Sequence, residues 1–149
     1  MLEQLALGSF ITLVSLLAGA FIWRGLNEAL LRMEPWMRRP PHQWKYGCVI
    51  LLVVLSTMAI MTFGVWLWAI VFERMVVFTT LEEALYYSLV AYTTLGLGDV
   101  VVPQERRLLG GMTGANGFMM FGLMTAMLTD TLRHIRRVQV QTRAQNELS

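Results

Sequence analysis

The chain has 149 residues, 56% apolar and 15% charged, with a formal net charge of +2. Ordinary soluble domains carry about 25% charged residues, so this is the composition of a membrane protein. The single cysteine, Cys48, excludes an intrachain disulfide and any CxxC zinc site. No phosphate loop, GxSxG or HExxH motif is present, so no covalent chemistry is expected, and no nucleic-acid partner.

Four uncharged runs organise the chain, at 4–23, 46–72, 84–98 and 108–129. A hydrocarbon core about 30 Å thick takes about 20 helical residues at ~1.5 Å each. The first, second and fourth runs supply that length, and the 15-residue third does not. The expectation is an all-α membrane protein with three transmembrane helices and one short apolar block.

Residues 1–26 are predicted as the first transmembrane helix. No basic segment precedes it, which argues against a cleaved signal peptide. The linker 27–45 and its approach hold Arg24, Arg32, Arg38, Arg39 and Lys45 against Glu28 and Glu34. The tail beyond residue 130 is also net positive, through Arg133, Arg136, Arg137 and Arg143. Basic loops stay in the cytoplasm, so the linker and the C-terminus are expected there and the N-terminus and residues 73–107 outside. Trp23, Trp36, Trp44 and Tyr46 mark the cytoplasmic headgroup level, and Pro35 and Pro40-Pro41 are expected to break the linker into short pieces. The second span, 46–72, exceeds a bilayer and is expected to tilt.

The short block begins with Thr80 and Glu83 at capping-box spacing, which predicts a helix over 80–92. Such a helix crosses about half a bilayer and must be re-entrant. The chain then returns through Thr93-Thr94-Leu95-Gly96-Leu97-Gly98-Asp99, where non-helical backbone is tolerated only in a protein interior or beside water. Gly96 and Gly98 can take positive φ, so alternation of left- and right-handed residues can aim successive carbonyls in one direction. Four such strands make rings of oxygens able to replace the hydration shell of a monovalent cation.

Residues 93–99 resemble the potassium-channel signature TTVGYGD, with Leu95 at the usual Val and Leu97 at the usual Tyr. Gly117, Phe121-Gly122-Leu123, Thr125-Ala126 and Leu128 are similar to the inner helix of small bacterial potassium channels. The resemblance covers about residues 47–137 and implies a pore domain over 46–137, with an inner helix at 105–132 and a tail at 138–149. It implies that the carbonyls of Thr94, Leu95, Gly96 and Leu97, with the Thr94 hydroxyl, coordinate K⁺ as the permeant ion, with no other cofactor. Thr93, Gly98, Asp99, Tyr86, Tyr87 and Val90 would support that filter. Phe121 and Thr125 would line an inner cavity, Gly117 would be a gating hinge, and Ala126–Thr129 would form the inner constriction. One pore loop per chain implies a homotetramer, and so compact a channel is expected in a bacterial inner membrane.

Departures from that family carry their own expectations. Leu97 lacks the phenol that in the common signature bonds into the aromatic cuff, so Tyr86 is expected to lose that partner, and Tyr87 is expected still to reach Asp99. Val90 stands where some relatives have a glutamate bracing the filter aspartate. A less firmly tied loop follows. Gly110, Gly111, Gly114 and Gly117 also suit close helix packing, so Gly117 stands open between hinge and packing residue.

Two other readings compete. Met120 and Met124, as MxxxM beside the GxxxG of Gly110 and Gly114, resemble three-span copper transporters, in which soft thioethers suit Cu(I). A small accessory membrane subunit is the other. Arg133, Arg136 and Arg137 follow the presumed gate and are expected either to bind anionic lipid or to serve topology alone.

Overall fold

The computed structural model describes residues 1–37 and 42–147; the expected break at Pro40-Pro41 lies outside them, as do the side chains of Trp36 and Tyr46. Four helices follow in order: α1 (Leu2–Met37), α2 (His42–Arg74), α3 (Leu81–Tyr92) and α4 (Arg107–Glu147), with one 3-10 turn at Gln104–Arg106. Among the described residues there is no strand, and the chain is an all-α membrane protein.

The linker differs from expectation. Helix α1 runs well past residue 26, because no breaker interrupts it before Pro35, and an exposed Arg24–Glu28 ion pair of 3.2 Å bridges the turn where the apolar run ends. Pro35 falls in the last turn, where it costs one backbone bond but starts no new segment.

Leu2–Met33 and Gly47–Arg74 are long and apolar enough to cross a membrane. The third expected span is weaker by composition. Helix α4 has the length, but Gly110, Gly111, Thr113, Gly114 and Asn116 dilute its apolar run below that of α1 and α2.

Helix α3 lies between α2 and α4, while α1 packs against both α2 and α4. The main core joins Ile11 of α1, Ile60, Val65, Trp68 and Phe72 of α2, Ala84 and Tyr92 of α3, and Leu109, Met120 and Met124 of α4. Lipid is as apolar as these side chains, so close packing rather than escape from water must hold such helices together. The glycines of α1 serve that end, with Gly8 receiving the Met112 side chain and Gly19 that of Met120. Phe10, Leu13, Leu17 and Phe21 face away from the bundle, as a helix on the lipid-facing periphery requires.

Two helix ends share one device. At the end of α2 the Val77 N–H donates to the Phe72 carbonyl (3.0 Å) and the Val76 N–H to Glu73 (2.9 Å), with Val76 at φ +52°. At the end of α3 the Leu95 N–H donates to Val90 and the Thr94 N–H to Ala91, both at 3.0 Å, with Thr94 at φ +59°. Both are Schellman closures whose left-handed position usually falls to glycine. Val76 is branched at Cβ and 85% exposed, so it bears the backbone strain and gains little packing. Val76→Gly should therefore stabilise the fold by about 1 kcal/mol, read as a higher unfolding midpoint in detergent; a lower midpoint would show that Val76 makes a contact outside the single chain.

Candidate functional site

The site is built from the start of α3. Thr80 caps the helix, its Oγ accepting the Glu83 N–H at 3.1 Å. Glu83 reaches back one residue further than the usual box, and its carboxylate accepts from the Thr79 N–H (3.1 Å) and Thr79 hydroxyl (2.8 Å). The helix then lasts twelve residues.

The other end of α3 is fixed by Tyr92, which is fully buried. Its hydroxyl lies 3.5 Å from that of Ser15 on α1, and its ring lies over Gly64 of α2, where an added Cβ would come within 2.3 Å of the phenol oxygen. Its carbonyl faces α4 so closely that a Cβ on Gly117 would sit 1.8 Å from the oxygen. One residue thus touches the other three helices. Gly110 and Gly114 extend the same track, Gly110 beneath the Tyr87 hydroxyl and Gly114 beside the Ala91 carbonyl. At Gly117 the structure supplies the close-packing reason for glycine.

Beyond Tyr92 the chain turns back along α3. The Val90 carbonyl accepts from both Leu95 (3.0 Å) and Gly96 (3.3 Å), and the Thr93 hydroxyl donates to Leu89 at 2.7 Å. Thr94, Gly96 and Gly98 take φ of +59°, +62° and +79°, so every second residue of the loop is left-handed. Among the described residues, no carbonyl from Thr94 to Leu97 accepts a hydrogen bond. The side chains of Leu95 and Leu97 are exposed in the single chain.

The loop rises along the face of α3 that carries Val90 and, one turn earlier, Tyr86. Asp99 therefore meets Tyr86, whose hydroxyl donates to Oδ2 at 2.5 Å. This corrects the expectation that Tyr87 would reach Asp99; Tyr86, which has no phenol at position 97 to meet, takes it instead. Tyr87 is turned about 100° around the helix and packs edge-on against Phe72, with ring centroids 5.3 Å apart, beside Phe78. Val90 is buried at the foot of the loop and contributes its carbonyl rather than a side-chain brace.

The Tyr86 hydrogen bond holds the Asp99 carboxyl below the usual carboxylate range, with desolvation opposing and the Asp99 and Val100 N–H groups helping. The tether is complete above the ordinary value of 3.8 and is lost as pH falls through the lower value in the folded chain.

On α4, Gly111, Ala115, Phe118, Phe121, Gly122, Thr125, Ala126 and Thr129 form one exposed stripe, at helical spacing. The Thr125 and Thr129 hydroxyls donate to the Phe121 and Thr125 carbonyls, at 2.9 and 2.8 Å. Met120 and Met124 lie on the opposite, buried face, 1% and 7% exposed, with Met120 against Gly19. Met120 fills the seam with α1 and Met124 is buried in the core, which does not favour a copper pathway. Sequence reasoning gives no role to Tyr92, Ser15 or Asn116; the signal available was a glycine, Gly64, within an otherwise bulky apolar run. Asn116 is fully buried on α4, and neither atom of its amide has a partner among the described residues.

Two outcomes test this geometry. Gly117→Ala should destabilise the fold by about 1–3 kcal/mol, and adding Tyr92→Phe should not rescue it, because the obstacle is a backbone carbonyl; rescue would show that the ring sets the spacing. Tyr86→Phe should move the Asp99 titration, followed by infrared spectroscopy against an Asp99→Asn reference, to higher pH, and an unmoved titration would mean the bond is absent in solution.

A family profile described as ion channel matches residues 49–134, which is α2 from its second turn, α3, the loop and most of α4. No curated protein and no solved structure matches the chain. The match takes in more than half of the 149 residues and leaves out α1, and with two membrane-length apolar helices it makes this an integral membrane protein of the ion channel family.

Proposed function

We propose that four copies of this chain surround a common axis and conduct K⁺ passively, with residues 93–99 as the selectivity filter. The observation that carries this reading is the alternating left-handed backbone at Thr94, Gly96 and Gly98, behind a half-length helix, with the intervening carbonyls free of hydrogen bonds. Carbonyls of Thr94, Leu95, Gly96 and Leu97, with the Thr94 hydroxyl, replace water around K⁺ better than around Na⁺. The C-terminal end of α3 adds a partial negative charge of about half a unit beneath them.

The exposed α4 stripe supports the tetramer, since it is the long face of that helix that no other helix of the same chain covers. Phe121 and Thr125 line the cavity, and Ala126–Thr129 form the constriction at its cytoplasmic end. Having donated to the backbone, the Thr125 and Thr129 hydroxyls offer only oxygen lone pairs to a passing cation. Asp99, held by Tyr86, stands at the outer mouth. The N-terminus is outside and the C-terminus cytoplasmic, as the arginine distribution suggests, and a bacterial inner membrane suits so compact a channel.

The test is ion flux in liposomes under imposed K⁺ or Na⁺ gradients. The intact protein should pass K⁺ in strong preference to Na⁺. Within the single chain no atom outside its chain neighbours lies within 4 Å of a Cβ added at Gly96, so there Gly96→Ala acts through its φ of +62°. That opposition, about 1–2 kcal/mol in every subunit, should abolish K⁺ flux or its preference over Na⁺. Unchanged selective flux from Gly96→Ala would overturn the filter assignment.

A further inference from the structure

A pocket of about 260 Å³ with a mixed polar and apolar lining opens between α1 and the far end of α4, apart from the loop. Helix α1 contributes Asn27, Leu30 and Leu31, and α4 contributes Asp130, Arg133 and Arg137. The uncharged run of α4 ends at Thr129, and the uncharged run of α1 that follows Glu3 ends at Arg24, so the pocket lies where both helices leave the apolar layer. Arg133 and Arg137 stand one turn apart on one face, both exposed, and neither has a carboxylate within ion-pair distance among the described residues. Leu31 is 58% exposed beside them. Arg136, between the two in sequence, does not line the pocket.

We propose that this pocket binds the headgroup of an anionic phospholipid. The two guanidinium groups take the phosphate, for which their forked donors are suited, while the exposed leucine meets the upper acyl chain. Asp130 leaves the lining net positive and, with Asn27, accepts hydrogen bonds from headgroup hydroxyls such as those of a glycerol. The position at the edge of the apolar layer favours a lipid over a soluble phosphate. Bound there, the lipid ties α1 to α4 one turn beyond Ala126–Thr129, which gives the first helix a part in holding the pore's inner end. That consequence rests on the conduction reading, whereas the binding itself does not.

The experiment measures binding of phosphatidylglycerol to the full-length protein in phosphatidylcholine nanodiscs, and separately K⁺ flux in liposomes of the two compositions. Arg133→Gln and Arg137→Gln should each weaken phosphatidylglycerol binding by about tenfold or more, the loss expected for a direct charge-assisted hydrogen bond to the phosphate. Arg136→Gln, an equal loss of charge outside the pocket, should change it by no more than about fivefold, the factor for a basic residue at a membrane surface, and Asn27→Leu should weaken it with no change in charge. All three arginine sites are exposed, so the variants should retain helicity and assembly. Equal effects at Arg136 and Arg137, equal binding of phosphatidylcholine, or displacement of the lipid by inorganic phosphate would each overturn the proposal. The expected binding pattern without K⁺-selective flux would retain the lipid site and remove the filter reading; selective flux without that pattern would do the reverse.

Discussion

The close approach of three helices to the end of α3 is the constraint on which the rest of this structure depends. A half-length helix gains little from its own hydrogen bonds and must be held by its neighbours. Tyr92 provides the grip, with its ring on Gly64, its hydroxyl beside Ser15 and its carbonyl against Gly117. Each contact requires the absence of a side chain or the presence of a small one. In lipid, where apolar surface has no water to escape, such backbone-level contact is the main source of helix association.

Because Tyr92 directly precedes Thr93, the same grip fixes where the loop begins. The Schellman closure at Thr94 reverses the chain and sends it up the Val90 and Tyr86 face of α3, so Tyr86 rather than Tyr87 meets Asp99. The loop is pinned at its foot by the Val90 carbonyl and at its top by the Tyr86 phenol. Between the pins the backbone alternates in hand and its carbonyls are left for another partner. Leu97 does not bring the phenol that the common signature carries, and in this chain a tyrosine of α3 supplies one to Asp99 instead.

Helix α1, which lies outside the segment shared with the ion channel family, is part of the same packing. Gly8 and Gly19 accept methionines of α4, and Ser15 approaches Tyr92. Of the two methionines that suggested soft-metal chemistry by spacing alone, Met120 lies in this seam and Met124 in the core beside it. Flexible thioethers fill the irregular gap between a glycine-bearing helix and its neighbour, a common use of methionine.

Composition and local chemistry determined a good deal of this protein. The charge pauses marked the apolar helices, Thr80 and Glu83 set the start of α3, and Gly96 and Gly98 announced positive φ, because each of these depends on residues within one or two turns. The helical linker through Met37 was hidden by reading Pro35 as a break, when a proline in a last turn ends little. What only the tertiary structure decided were contacts across helices: which tyrosine meets Asp99, why position 117 is glycine, and where Met120 points. Those depend on the rotation of each helix and on the path of the returning loop, and neither is encoded by spacing along one element.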